Sequence, residues 1–350
     1  MRLLLTAGCC AALCAMVLPV STSAAGEDEP PLEEILVSGE YPGPGLWKVS
    51  KPAGESEHVL WIFGTLFDTP SGEPTALKWK SRQVEKIVAE SQELVYEYQF
   101  GLTFEQKVGV FTILRMLPTA LKARKNPDDK TLADLLPVDV YPRWQMLKAE
   151  YLGGSDGIEK WRPFIVAERL RDKAGEKLRP KFSGNQWTAV NQLVQQNRLR
   201  LTMPTYEVKL PNEKLRESMK AFVAKPLNDV ECLDVTMKLV EFWGDDAAVN
   251  ARALAWARGD LPALRALPPL PDPDGSCMAA LLGSQAVQDL HLQGLDDPAA
   301  SGARAWLEAV DKALADNPST LAILPVDELL KENGRLSMLR EKGYRVEEPI

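Results

Sequence analysis

Histidine is the scarcest chemistry-bearing residue in this chain: 350 residues hold only two, His58 and His291. A Ser-His-Asp or Cys-His nucleophile would need one of those rings beside it, and no local pattern supplies that arrangement. His58 lies in a turn with Glu55 and Glu57 and reads as a solvated surface imidazole. His291, within Gln288-Asp289-Leu290-His291-Leu292, reads as a helix residue rather than a catalyst. Positive charge is also short. Lysine and arginine total 41 against 49 acidic residues, a formal net charge of −8, whereas nucleic-acid binding usually leaves a basic footprint. The local cluster Lys122, Arg124 and Lys125 runs straight into Asp128 and Asp129 and reads as solvated surface. No Gly-rich phosphate loop follows an expected strand, so nucleotide binding has no support. Beyond the N-terminus, no apolar run approaches the roughly eighteen residues that a membrane span needs.

Cysteine is sparse and unevenly placed. Three of the five, Cys9, Cys10 and Cys14, sit in an apolar N-terminal stretch, leaving Cys232 and Cys277 in the rest of the chain. That stretch, Leu3 to Val20 after Arg2, ends in Ser21-Thr22-Ser23-Ala24-Ala25 and reads as a secretory leader over residues 1–25. Export to a periplasm or the exterior follows as an expectation. A lipoprotein reading through Ala7-Gly8-Cys9 leaves too short an apolar region before the cysteine. In an oxidising compartment the remaining even pair is expected to form a disulfide; two buried free thiols are the alternative.

The rest of the chain is long enough to bury a sizeable core, and 45% apolar with 26% charged residues is ordinary for a globular protein. A polar, acidic lead-in over 26–45 precedes the expected domain, 46–350. The stretch that organises it is Val59-Leu60-Trp61-Ile62-Phe63-Gly64-Thr65-Leu66, an apolar, β-branched and aromatic run that reads as a buried strand. With Leu46 to Ser50 it forms an expected hairpin. A helix is expected over about 75–91, then a second strand, Glu93 to Tyr98. Ligands of open α/β sheets sit outside the carboxyl ends of strands, so Gly64 and Glu97 should frame any site.

From 103 to about 198 the spacing predicts helices, opened by a Thr103/Gln106 capping box, a substantial helical insertion. Leu199 to Leu210, broken by Pro204, reads as edge strand. Helices are expected over 212–223 and 229–265, with Leu267 to Gly275 a structureless connection. Thr320 to Leu324 reads as a buried strand. A last helix capped by Asn333 ends at Gly343, before the strand Tyr344-Arg345-Val346. The fold class is therefore α/β, a mixed sheet surrounded by helices.

Gly64-Thr65-Leu66-Phe67-Asp68-Thr69-Pro70, then Val95-Tyr96-Glu97, then Asn333-Gly334 through Gly343-Tyr344-Arg345-Val346 resemble the TraB/GumN family, related to the Tiki metalloproteases. Leu132-Ala133-Asp134-Leu135-Leu136-Pro137, Trp161-Arg162-Pro163-Phe164 and Asn250 through Leu261 agree, so the resemblance spans roughly 45 to 349. It implies two Gly-x-x-His motifs and an acidic residue that hold a divalent metal for peptide hydrolysis. Carried onto this chain, Gly64 matches and Glu97 matches. Phe67 stands at the first histidine, and Glu328 stands at the second. The Arg-Asn pair expected before a tryptophan helix falls on Gly302 and Ala303, ahead of Trp306.

Two readings follow. In one, the chain keeps the fold as a non-catalytic pseudoenzyme that binds a protein or peptide partner without a cofactor. In the other, Asp68, Glu97, Asp327 and Glu328 converge as an all-oxygen site suited to Mn, Mg or Ca, with Glu97 as the candidate catalytic group of a peptidase. In the first reading Asp327 and Glu328 are simply first-turn acids favoured by a helix dipole.

Overall fold

The computed structural model describes residues 41, 43–51, 58–66, 79, 82–104, 117–119, 121–154, 156–182, 186–211, 215–289, 295 and 297–349. The expected leader, Phe67, Asp68, Gln106 and His291 lie outside the described residues. Of the expected lead-in, Tyr41 bridges to Trp79 and the Gly43 amide donates to the Ala257 carbonyl at 2.9 Å.

Eight described strands are β1 (Leu46–Ser50), β2 (Val59–Thr65), β3 (Glu93–Val95), β4 (Gln99–Phe104), β5 (Arg200–Thr202), β6 (Thr205–Leu210), β7 (Ser319–Pro325) and β8 (Arg345–Glu347). Six of them form one mixed sheet in the order β5-β3-β7-β2-β1-β8. Four neighbours, β5, β3, β7 and β2, run parallel, while β1 is antiparallel to both β2 and β8. The chain is thus α/β, with helices packed around a mixed sheet.

The central strands are what the apolar runs require. Leu321, Ala322, Ile323 and Leu324 of β7 are all buried, as are Leu60, Ile62 and Phe63 of β2, the near-continuous apolar pattern of a parallel sheet covered on both faces. A first core gathers this sheet with Trp256, Trp306 and Val310. A second is helical, built on Trp144, Val166, Leu170 and Leu233. Within it a disulfide joins Cys232 to Cys277, between the helices Val230–Gly244 and Pro273–Leu282. No helix among the described residues is long and apolar enough to cross a membrane.

Several expectations are corrected. Thr103 and Phe104 belong to β4, which pairs in parallel with β6 over Gln99↔Thr205 to Phe104↔Leu210, so Thr103 caps no helix. The helix expected over 75–91 is described as Arg82–Glu90. The long helix over 229–265 is three, because Asp245 and Asp260 each cap a new start by accepting from backbone amides. The connection after Leu267 turns helical at Pro273, capped by Asp272. Gly334, not Asn333, precedes the last helix, Arg335–Glu341.

Candidate functional site at the strand ends

Three parallel strands finish side by side. Gly64 and Thr65 of β2 lie opposite Leu324 and Pro325 of β7, and β3 pairs with the other edge of β7. Glu97 follows β3. The helix Val326–Leu330 follows β7 directly and carries Asp327 and Glu328 in its first turn. Gly64 is demanded by close approach: a Cβ there would lie 3.0 Å from Trp47, 3.2 Å from Leu329 and 3.3 Å from Val326. The Trp256 indole donates to the Gly64 carbonyl at 2.8 Å, which fixes this strand end.

The acids at these ends already have cations. Arg335 is buried, with Nη1 3.2 Å from Glu328 Oε1 and Nη2 3.9 Å from Glu97 Oε1. Its guanidinium lies over the Tyr98 ring, 5.3 Å from the centroid. Lys331 Nζ is 3.0 Å from Glu328 Oε2. Arg252, also buried, donates to Asp327 at 2.6 Å and to the Pro268 carbonyl. Three carboxylates thus meet three cations. Arg335 Nε is buried with no hydrogen-bond partner among the described residues.

Partial burial and neighbouring charges pull against each other here. Burial raises Glu97 above the ordinary carboxylate range; Arg335 opposes the shift, and the charges of Glu328 and Asp272 add to it. Burial likewise raises Asp327 against the pull of Arg252. For Lys331 burial works against the charge, but the bond to Glu328 outweighs it and raises the ammonium.

Tyr98 fills space on the opposite side. A Cβ at Gly302 would come within 2.0 Å of the Tyr98 ring. Gly302 and Ala303 are both buried in the helix Pro298–Asp316. The position that the resemblance assigns to an arginine is therefore closed by a tyrosine that stacks on Arg335.

The structure thus brings Gly64, Glu97 and Glu328 to one place. Cys232 and Cys277 belong to the helical core instead. His58 departs from the expected solvated imidazole: it is half-buried, and its Nδ1 bonds the Leu314 carbonyl at 2.8 Å. It lies at the start of β2, at the end opposite Gly64. Sequence reasoning missed Tyr98, Arg252, Lys331 and Arg335. Glu328 and Lys331, three residues apart, were a local signal for Lys331 alone, because Arg335 opens a separate helix after the break at Lys331.

The chain is an α/β protein whose parallel strands β2 and β7 end beside a cluster of paired acids and cations. A family model described as the TraB/PrgY/gumN family matches residues 45–348, and the chain belongs to that family. No curated protein and no solved structure matches it.

Proposed function

We propose that this is an exported, non-catalytic member of its family that uses the strand-end region to bind a protein or peptide partner. The observation that carries the reading is the Arg335 guanidinium, buried between Glu97 and Glu328 at the strand ends where the family resemblance puts a metal. A dication placed there would compete with Arg335 and Lys331 for the same carboxylates. The residues described do not fit a divalent ion in this arrangement, so no catalytic step is routed through one. Two replacements, Phe67 and Glu328, remove both imidazoles, and losing even one ligand or its support costs heavily in affinity. The leader-like N-terminus supports export.

A second reading is a peptidase with an all-carboxylate site for Mn, Mg or Ca. It draws support from Glu97 and Glu328, two carboxylates that both approach the Arg335 guanidinium. Elemental analysis and thermal shift with Mn, Co, Zn and Ca separate the two. The proposal expects no stoichiometric metal and no shift that depends on Glu97 and Glu328. One bound equivalent, lost in Glu97→Gln/Glu328→Gln, would sink it in favour of the hydrolase.

A further inference from the structure

A second concavity lies in the helical layer. It encloses about 530 Å³ and is lined by Arg124, Tyr151, Gly153, Trp161, Arg169 and Lys173 among others, with no acidic side chain in its wall. Arg169 and Lys173 are four residues apart on the helix Pro163–Leu178, hence on one face. Arg124 reaches the cavity from a different segment and lies over the Trp161 ring, 4.8 Å from its centroid.

That wall is held by backbone. Lys125 and Trp161 form an antiparallel bridge. The Arg162 amide donates to the Arg124 carbonyl at 2.8 Å, and Asn126 Nδ2 donates to the Trp161 carbonyl at 3.0 Å. Arg162 itself is buried, donating from Nε to the Ala123 carbonyl at 2.9 Å and from Nη2 to the Phe222 carbonyl at 2.6 Å. Arg124 and Trp161 therefore sit on a pinned strap.

Two of the three lining cations lack a salt bridge. Among the described residues Arg124 and Arg169 have no salt-bridge partner, whereas Arg143, Arg171, Arg200, Arg252 and Arg335 all do. The third lining cation, Lys173, is paired with Glu176, which also acts electrostatically on Arg169, while Glu150 pairs with Lys177. In a chain of formal charge −8, a cavity walled by cations and aromatic rings is the reverse of the average surface.

We propose that this cavity binds a small organic polyanion, a ring compound carrying phosphate or sulfonate groups. Arg124 and Arg169 present planar forks that match such oxyanions, Lys173 can exchange Glu176 for the anion, and Trp161 and Tyr151, each with a cation over one ring face, supply aromatic surface. The inference is independent of the strand-end reading and uses none of its residues.

The probe is the fluorescent trisulfonate 8-hydroxypyrene-1,3,6-trisulfonate, titrated by anisotropy into the full chain at low and high salt. Saturable, salt-weakened binding at one site is expected, with a loss of about tenfold or more in Arg169→Glu/Lys173→Glu, the scale of charge-assisted contacts. The variant Lys86→Glu/Lys312→Glu changes net charge equally on exposed helices outside the cavity, and it should bind as the parent does. Arg124→Glu tests the opposite wall and keeps the question open to refutation if the first variant fails to fold. Absence of saturable binding, or equal loss in the Lys86/Lys312 variant, would overturn the proposal.

Discussion

Arg335 is the residue on which the strand-end cluster depends. Removing it leaves Glu97 and Glu328 with like charges facing one another and only Lys331 nearby. Breaking a buried pair by deleting one partner costs more than the pair contributes intact, because the survivor stays charged and desolvated. Arg335→Met is expected to lower stability by about 3 kcal/mol, with part of the loss recovered in Arg335→Met/Glu328→Gln, as read by urea unfolding. Glu97 gives a second test. Its folded-state pKa is raised, chiefly by burial, so between the unfolded and the raised value the folded state binds more of the proton than the unfolded state does. Its stabilising share is present below the ordinary carboxylate pKa of about 4.3 and is lost as pH rises through the raised value. Urea midpoints at a series of pH values should therefore fall for the parent relative to Glu97→Gln as pH climbs through that window. An opposite slope would mean that Arg335 outweighs burial. At this scale the sequence showed the acids but not their cations: Gly64 and Glu97 were legible from strand ends, and Glu328 from the family resemblance. Arg335, Tyr98 and Arg252 reach the cluster only through tertiary contacts.

Among the elements, those with strong local signals were the readable ones. The β1–β2 hairpin, the helix Gln186–Gln196 and β7 follow from apolar period or from an unbroken apolar run. The failures share a physical cause. Phe100, Leu102 and Phe104 alternate as a strand does, but Phe104 also opens a helical stripe with Val108 and Phe111, and the arbiter is a partner strand some hundred positions away. The long helix over 229–265 fragmented because Asp245 and Asp260 reward a fresh helix start with satisfied amides. The disulfide is the element-scale link that can be cut. It ties two helices across a separation of 45 residues, which in the chain-entropy model contributes about 3–4 kcal/mol. The double variant Cys232→Ala/Cys277→Ala should unfold at a lower urea midpoint by that order while keeping its far-UV spectrum, since both positions sit in a helical core with many other contacts. An unchanged midpoint would show that the crosslink constrains little of the unfolded chain.

At the scale of the whole molecule, two cores divide the labour between a parallel sheet that presents strand ends and a helical layer that holds the basic cavity. The sheet order has a consequence for how such a chain is made. β7 lies between β3 and β2 although it begins only at Ser319, and β8 completes the far edge at Arg345–Glu347. A chain emerging from its N-terminus carries the apolar run Val59-Leu60-Trp61-Ile62-Phe63 with one edge unmated until nearly the last residues appear. Exposed apolar strand edges recruit other chains, and here that exposure ends only when the C-terminal strands have been made.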